Sequence, residues 1–383
     1  MLNCSDWRGL TLLGKIQVIK SFAIPKILYK VTLISRNKEF IKKINTLLYS
    51  FVWKGKDKIK RTALINSIDK GGLKMPDIES MISAQRIICI KRYLSHEPAT
   101  WNFFLDFYLK KVGGKFLFYR NFSYPRLPIA LPEFYKECLV AWTSLSQDNP
   151  LLIPEIANQV IWNNRFICIE SKSIYNQRLI DFGIVKVGDL CDSRGELKSN
   201  KEPLHSILSP IEHFLLFSIF SAIPQEWRKT LKANKLSVPL NTRNIIPGAF
   251  YLHIKEKITN LEKLHSKEIY DSFISKISNS PTAQKKYNEI FNTNTFQLDW
   301  EKIYLLPYET TLDTKLREFQ YKILNRILYT NDMLFKFKKV ESPLCDFCGN
   351  EMETLEHLFF YCVKVRCFWG ELKELLNSLK KNC

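Results

Sequence analysis

Apolar residues recur along the first hundred positions at the spacing of one helix face. Leu12, Leu13, Ile16, Val18 and Ile19 form the first series, with Lys15 and Lys20 as the polar positions among them. Pro25 stops or restarts this helix, because proline has no N–H to give to the preceding turn. A second series runs through Ile27, Leu28, Val31, Leu33 and Ile34. A third runs through Phe40, Ile41, Ile44, Leu47, Leu48 and Phe51, with Lys42 and Lys43 outward and Asn37 placed as its N-cap. Lys70-Gly71-Gly72 then reads as a turn and Pro76-Asp77 as a helix entry. The helix from Asp77 to Leu94 is expected to carry Arg86, Lys91 and Arg92 on its outer face. Residues 1–110 are thus predicted to be a basic helical bundle.

The pattern is less regular from 111 onward. Tyr124-Pro125, Leu127-Pro128 and Leu131-Pro132 mark a loop before a helix from Phe134 to Leu145. Short β-leaning runs at 161–170 and 172–174 suggest a small hairpin, and 183–190 a turn into a short helix. Pro239 and Pro247 bracket a polar stretch suited to hinge two lobes. From 249 to 277 the reading is helical, with Tyr251, Ile254, Ile258, Leu261 and Leu264 on one face. Glu256, Glu262 and Glu268 alternate there with Lys255, Lys257, Lys263 and Lys267 on a solvated face. Ser280-Pro281-Thr282 opens a further helix through Phe291, and Phe368, Trp369, Leu372, Leu375 and Leu376 define a last one. The fold class that follows is mainly α. A basic helical domain spans 1–110, a helical connector with small hairpins 111–295, and a small metal-binding unit 296–383.

Composition adds a partner to this picture. The 383 residues are 46% hydrophobic with only 13 Gly and 16 Pro, as in a globular chain, and carry a formal charge of +19. So large a surplus favours a polyanion, nucleic acid being the commonest, although a basic face toward anionic lipid has the same composition. The most apolar run, from His213 to Pro224, is too short to cross a bilayer, so no membrane-spanning role is expected. The first 110 residues hold 20 Lys and Arg against 8 Asp and Glu, which concentrates the charge at one end. There Lys54, Lys56, Lys58, Lys60 and Arg61 follow directly on the aromatic residues Tyr49, Phe51 and Trp53. Phosphates along a nucleic-acid backbone suit such a run, and so does bulk water around a solvated loop.

The sharpest chemical signal lies near the other end. Cys345, Cys348, His357 and Cys362 stand in a C-x2-C-x8-H-x4-C pattern, the donor set and spacing of a closed tetrahedral zinc site, with Gly349 behind the first pair to permit a tight turn. Four protein ligands leave no open position, so the zinc is expected to be structural. Cys367 is near enough to compete, but it is expected to point into the last helix. Cys4, Cys89, Cys138, Cys168 and Cys191 read as core residues and Cys383 as a free thiol. With no pairing rhythm among the cysteines, a reducing cytoplasmic and nuclear setting is expected. Residues Gly9 to Lys15 approach a phosphate-loop pattern, but Ile16 stands where a hydroxyl is required. The remaining histidines, His96, His205, His213, His253 and His265, have no ligand-spaced partners.

A family resemblance runs through these same residues. Trp7-x2-Leu10, Leu13-Gly14-Lys15-Ile16, Lys20, Pro25-Lys26 and Leu28-Tyr29 resemble the stretch after the polymerase core in reverse transcriptases of LINE-type, non-LTR retrotransposons. The block from Phe51-Val52-Trp53-Lys54-Gly55-Lys56 through Ile59-Lys60-Arg61 to Gly71-Gly72-Leu73-Lys74-Met75-Pro76-Asp77 and Ala84 is similar to that family's thumb. Trp162-Asn163-Asn164, Gly183-Ile184 and Asp189-Leu190 continue the likeness. Phe319 to Leu324 and the Cys345 to Cys362 cluster resemble the zinc-binding segment at the family's C-terminus.

The resemblance implies a thumb that grips a template–primer duplex and a zinc segment that helps bind element RNA or target DNA during target-primed reverse transcription. Family polymerases hold two metal ions with an Asp-Asp pair on a palm hairpin, and no adjacent Asp pair occurs in this sequence. The expectation is therefore a non-catalytic, nucleic-acid-binding region whose parent catalytic core and endonuclease lie upstream in a full-length protein. Phosphate contacts are expected at Lys54, Lys56, Lys58, Lys60, Arg61 and Lys74, and base stacking or duplex packing at Trp53. The alternative is a zinc-organised protein-interaction module whose basic surface meets an acidic partner.

Overall fold

Thr11 starts the first helix by accepting a hydrogen bond from the Gly14 N–H through its hydroxyl, at 3.2 Å. In the computed structural model this helix spans Leu12–Val18 and passes through a wider turn, Ile19–Ala23, into a second helix, Ile24–Leu33. Of the two outcomes its sequence allowed, Pro25 therefore restarts the helix and does not stop it. Inside a regular helix its ring would strike the carbonyl four residues back. The turn immediately before it is instead opened to i→i+5 bonding, the Ile24 N–H reaching the Ile19 carbonyl, and the chain absorbs the proline. The structure describes residues 9–95, 99–145, 156–192, 194–196, 208–233, 250–254, 257–291 and 298–381. The readings that concern Cys4, Trp7, His96, His205, Pro239, Pro247, Lys255, Glu256 and Cys383, and the side chains of His253 and Ile258, lie outside the described residues.

Packing gathers the chain into two compact units, each built from separate stretches. One comprises Met1–Ile24, Ile44–Pro76 and Ser278–Cys383, the other Pro25–Lys43 and Asp77–Ile277. The division at 110 and 295 follows chain order, whereas these units follow spatial packing. Both are mainly helical, and no described helix is long and apolar enough to cross a membrane.

In the first unit, the Leu12–Val18 helix packs on the helix Thr314–Leu324, whose Glu318 carboxylate accepts the otherwise unpaired Leu12 N–H at 2.8 Å. Lys15, read as a polar position of this helix, is buried. Its stem lies in the core and its ammonium donates to the Val52 carbonyl at 3.0 Å, near the end of the helix Lys38–Trp53, where cations complement the dipole. The Lys70-Gly71-Gly72 turn forms as expected and packs against the helix Trp300–Thr310. Gly71 adopts φ 77°, and a Cβ on Gly72 would stand 2.1 Å from the Asn66 backbone oxygen. Only glycine fits both demands.

In the second unit, Asp77 caps the helix Ile78–Leu94 by accepting the Ser80 N–H at 2.8 Å, as its sequence position predicted. That helix packs against Glu133–Leu145 and Ser266–Ile277 around Tyr93, Phe118, Phe122 and Trp142. The Phe118 and Trp142 rings meet edge to face with centroids 5.1 Å apart. Arg86 is not on the outer face: it is 1% exposed and forms a 2.9 Å ion pair with buried Glu137. Its guanidinium also donates to the carbonyls of Val31 and Ile34 at 3.1 and 2.7 Å, satisfying the end of the Ile24–Leu33 helix.

The helical reading of 249–277 holds only for its last part, Ser266–Ile277. Tyr251–Ile254 and Lys257–Asn260 form an antiparallel pair, in register Tyr251↔Asn260 and Ile254↔Lys257. Phe250, Leu252 and Ile254 are buried while Tyr251 is exposed, the two-residue alternation of a strand, and it overrode the sparser helical spacing of the same stretch. A second hairpin, Cys168–Ile169 with Lys172–Ser173, lies where the β-leaning runs placed one. It belongs to a separate core around Trp162 and Trp227, in which the Trp162 indole donates to the Ile184 carbonyl at 2.8 Å.

Candidate metal centre and basic surface

The Cys345 knuckle is shaped by its own backbone. The Cys345 N–H bonds the Glu351 carbonyl at 2.8 Å, the Gly349 N–H returns to the Cys345 carbonyl at 2.7 Å, and Gly349 takes φ 70°. A bridge between Leu344 and Met352 closes the loop. Glu353, buried beside it, accepts the Asn331 N–H at 2.9 Å and the Asp346 N–H at 3.2 Å, fixing the knuckle to the helix Asn331–Lys336.

The other two ligands sit on one unusual turn. In a regular α-helix His357 and Cys362, five residues apart, would point about 140° away from each other. Here His357–Tyr361 is wound in i→i+5 fashion, with the Cys362 N–H on the His357 carbonyl at 2.8 Å, which returns both side chains to one face. The Thr354 hydroxyl accepts the His357 N–H at 3.1 Å and holds the start of the turn.

One ligand atom from each of Cys345, Cys348, His357 and Cys362 lies within 4.8 Å of every other. Sulfurs bound tetrahedrally to one zinc at about 2.3 Å stand about 3.8 Å apart, so the cluster fits a single ion with little adjustment. His357 turns Nε2 toward the cluster, 3.4 Å from the Cys348 sulfur, and leaves Nδ1 2.8 Å from the Glu351 carboxylate. A carboxylate this close to the second ring nitrogen is the kind of outer group that orients a zinc-bound histidine. Backbone N–H groups of Asn350 and Glu351 pull the Cys348 thiol down to about 6, whereas burial pushes Cys345 up. A divalent cation at the centre favours the thiolate of both. Cys345, His357 and Cys362 are buried, so the site is closed, and its zinc is structural. Cys367 is not among the clustered ligands, and it does not enter a core either: it is exposed on the helix Val363–Lys381, along with Phe368 and Trp369.

The basic residues are in the same compact unit as this site. Lys54, Lys56, Lys58, Lys60, Arg61 and Lys74 are all exposed. Lys54 and Lys74 adopt φ of 53° and 54°. Arg61 pairs with Asp57 at 2.7 Å and lies 4.3 Å over the Tyr49 ring. Lys58 stands 4.3 Å over the ring of Tyr329. Trp53 departs from expectation. At 6% exposure it is part of the core, with Leu48, Tyr49 and Val52 from the same helix, and it presents no face on which a base could stack. Glu351, Glu353 and Tyr329 were not singled out in the sequence, where an acidic residue after a knuckle or an aromatic in a loop has no distinguishing spacing.

A closed Cys-Cys-His-Cys zinc site on a basic helical unit defines the class of this region. Residues 282–369 match the family model described as zinc-binding in reverse transcriptase. Over 98% of its length the chain is 23% identical to the transposon TX1 uncharacterized 149 kDa protein of Xenopus laevis, of which it covers 31%. The two findings support the C-terminal region of a non-LTR retrotransposon reverse transcriptase.

Proposed function

We propose that this chain is a non-catalytic nucleic-acid-binding region of a retrotransposon reverse transcriptase, holding template–primer or element RNA while polymerisation is carried out by other parts of a longer protein. The observation that carries the reading is the exposed run Lys54, Lys56, Lys58, Lys60 and Arg61 in one compact unit with the zinc site, although the two are far apart in sequence. Zinc fixes the local fold, and the lysines supply charge that phosphates neutralise with release of counterions. Lys74 extends the basic set from the far side of the Gly71-Gly72 turn. Contacts of this kind position a backbone without reading bases, so sequence preference is weak and salt dependence strong.

Binding of RNA and of duplex DNA across a salt series tests the proposal. Alanine at Lys54, Lys56, Lys58, Lys60 and Arg61 together is expected to weaken binding and flatten the log–log salt slope by up to about one unit for each phosphate that is no longer neutralised. An unchanged slope identifies the run as a solvated loop.

A protein partner is the second reading. It is favoured by the helix Val363–Lys381, where Phe368, Leu375, Leu376 and Leu379 are each more than half exposed. An acidic peptide that competes with RNA for the chain at equal charge would support it.

A further inference from the structure

We infer that Tyr329 and Phe337, with Lys58 beside them, form a stacking platform for single-stranded nucleic acid. The inference rests on the nucleic-acid reading above and names the form of nucleic acid that the zinc-bearing unit takes. Tyr329 is 49% exposed and Phe337 56%, and their rings meet edge to face with centroids 6.3 Å apart and planes at 87°. The Lys58 ammonium stands over the Tyr329 ring, 4.3 Å from its centroid, so it covers one ring face and a base stacking there displaces it toward the adjoining phosphate. A loop that is basic in sequence is thereby joined to an aromatic pair lying far along the chain.

The platform is held in place by its surroundings. Thr330, next to Tyr329, is buried, and the helix Asn331–Lys336 begins on the Glu353 carboxylate of the zinc knuckle. Beyond Phe337 the chain closes tightly, the Lys338 and Lys339 N–H groups returning to the Phe335 and Leu334 carbonyls at 2.9 Å each. Lys338 and Lys339 are exposed there, so cations follow the aromatic pair on the chain as well as flank it in space.

The exposure of the rings decides which partner fits. In a duplex the base faces are already stacked on one another and only phosphates are offered, which lysines alone can meet. Unpaired bases have free faces, and an exposed ring with a cation within reach of the adjoining phosphate is the arrangement that binds them without sequence preference. Trp53, the aromatic residue nearest the basic run in sequence, is buried; tertiary structure supplies Tyr329 and Phe337 in its place.

Fluorescence anisotropy on the full chain, with single strands of about 16 nucleotides as RNA and as DNA and a duplex of equal length, tests the inference. Tyr329→Ala with Phe337→Ala is expected to lose about tenfold in affinity for single strands and to hold duplex affinity and the salt slope unchanged. Tyr329→Phe, which keeps a ring, retains wild-type binding. Equal losses on single strand and duplex, or no loss on either, overturn the platform and leave the basic surface standing. Absence of binding to every nucleic acid by the wild type overturns the proposed function and the platform with it. Zinc content reports whether the double variant folds. Should it not, photocrosslinking of wild type to strands carrying 5-iodouracil decides: crosslinks at Tyr329 or Phe337 support the platform, and crosslinks confined to other residues overturn it.

Discussion

At the scale of residues, the ligand set and its outer partner make separable predictions. Cys345→Ser, Cys362→Ser and His357→Ala are each expected to abolish stoichiometric zinc, and Cys367→Ser to leave one zinc per chain, as read by metal analysis. Glu351→Gln keeps all four ligands but removes the carboxylate 2.8 Å from His357 Nδ1, and is expected to weaken zinc affinity about 10–100-fold in a chelator competition. Arg86 provides a contrasting case, a buried charge whose role is within the fold. Arg86→Met leaves Glu137 buried without its partner and the Ile24–Leu33 carbonyls without a donor. It is expected to cost about 3–5 kcal/mol in denaturant unfolding, and adding Glu137→Leu is expected to return only the part due to the unpaired carboxylate, because the carbonyls stay without a donor and the Arg36 N–H loses its Glu137 acceptor.

At the scale of elements, two i→i+5 turns do different work. The one at Ile19–Ala23 lets a helix continue into Pro25, and the one at His357–Tyr361 aligns two zinc ligands that a regular helix would separate. Glycines also divide by element. Gly14 lies inside the Leu12–Val18 helix with at least 3.4 Å of room for a methyl group, so Gly14→Ala is expected to stabilise by about 0.5–1 kcal/mol. Gly72 faces the Asn66 backbone oxygen at 2.1 Å from a would-be Cβ, and that oxygen is held by the Lys74 N–H at 2.8 Å. Gly72→Ala is accordingly expected to destabilise by about 1–3 kcal/mol. The two midpoints in urea should move in opposite directions.

At the scale of the molecule, the zinc segment is one part of a unit that also includes Ile44–Pro76, while Asp77–Ile277 packs around its own cores. Structural zinc contributes on the order of 10 kcal/mol to the folding of the segment that binds it. Chelation is therefore expected to open the stretch from Cys345 to Cys362 to proteolysis while a fragment covering most of 77–277 persists. Early cleavage throughout 77–277 on zinc removal would show that the second unit depends on the metal.

What the sequence determined by itself is what lies close along the chain. The four zinc ligands, the Asn37 and Asp77 caps, the Gly71-Gly72 turn and most helices were legible because each depends on a few neighbouring residues and their backbone geometry. Tertiary structure decided which side chains meet solvent. Lys15, Trp53 and Arg86 all stand at positions whose charge or aromaticity suggested a surface role, and all three are buried. Their partners, Val52 for Lys15, the helix core for Trp53, and Glu137 with the Val31 and Ile34 carbonyls for Arg86, are fixed by packing between elements. The stretches 251–254 and 257–260 could satisfy a helical or a strand period, and burial of Phe250, Leu252 and Ile254 against distant residues selected the strand. The meeting of Lys58 with Tyr329 belongs to the same kind, because an approach between residues so far apart in the chain has no local signature and exists only once the unit has closed.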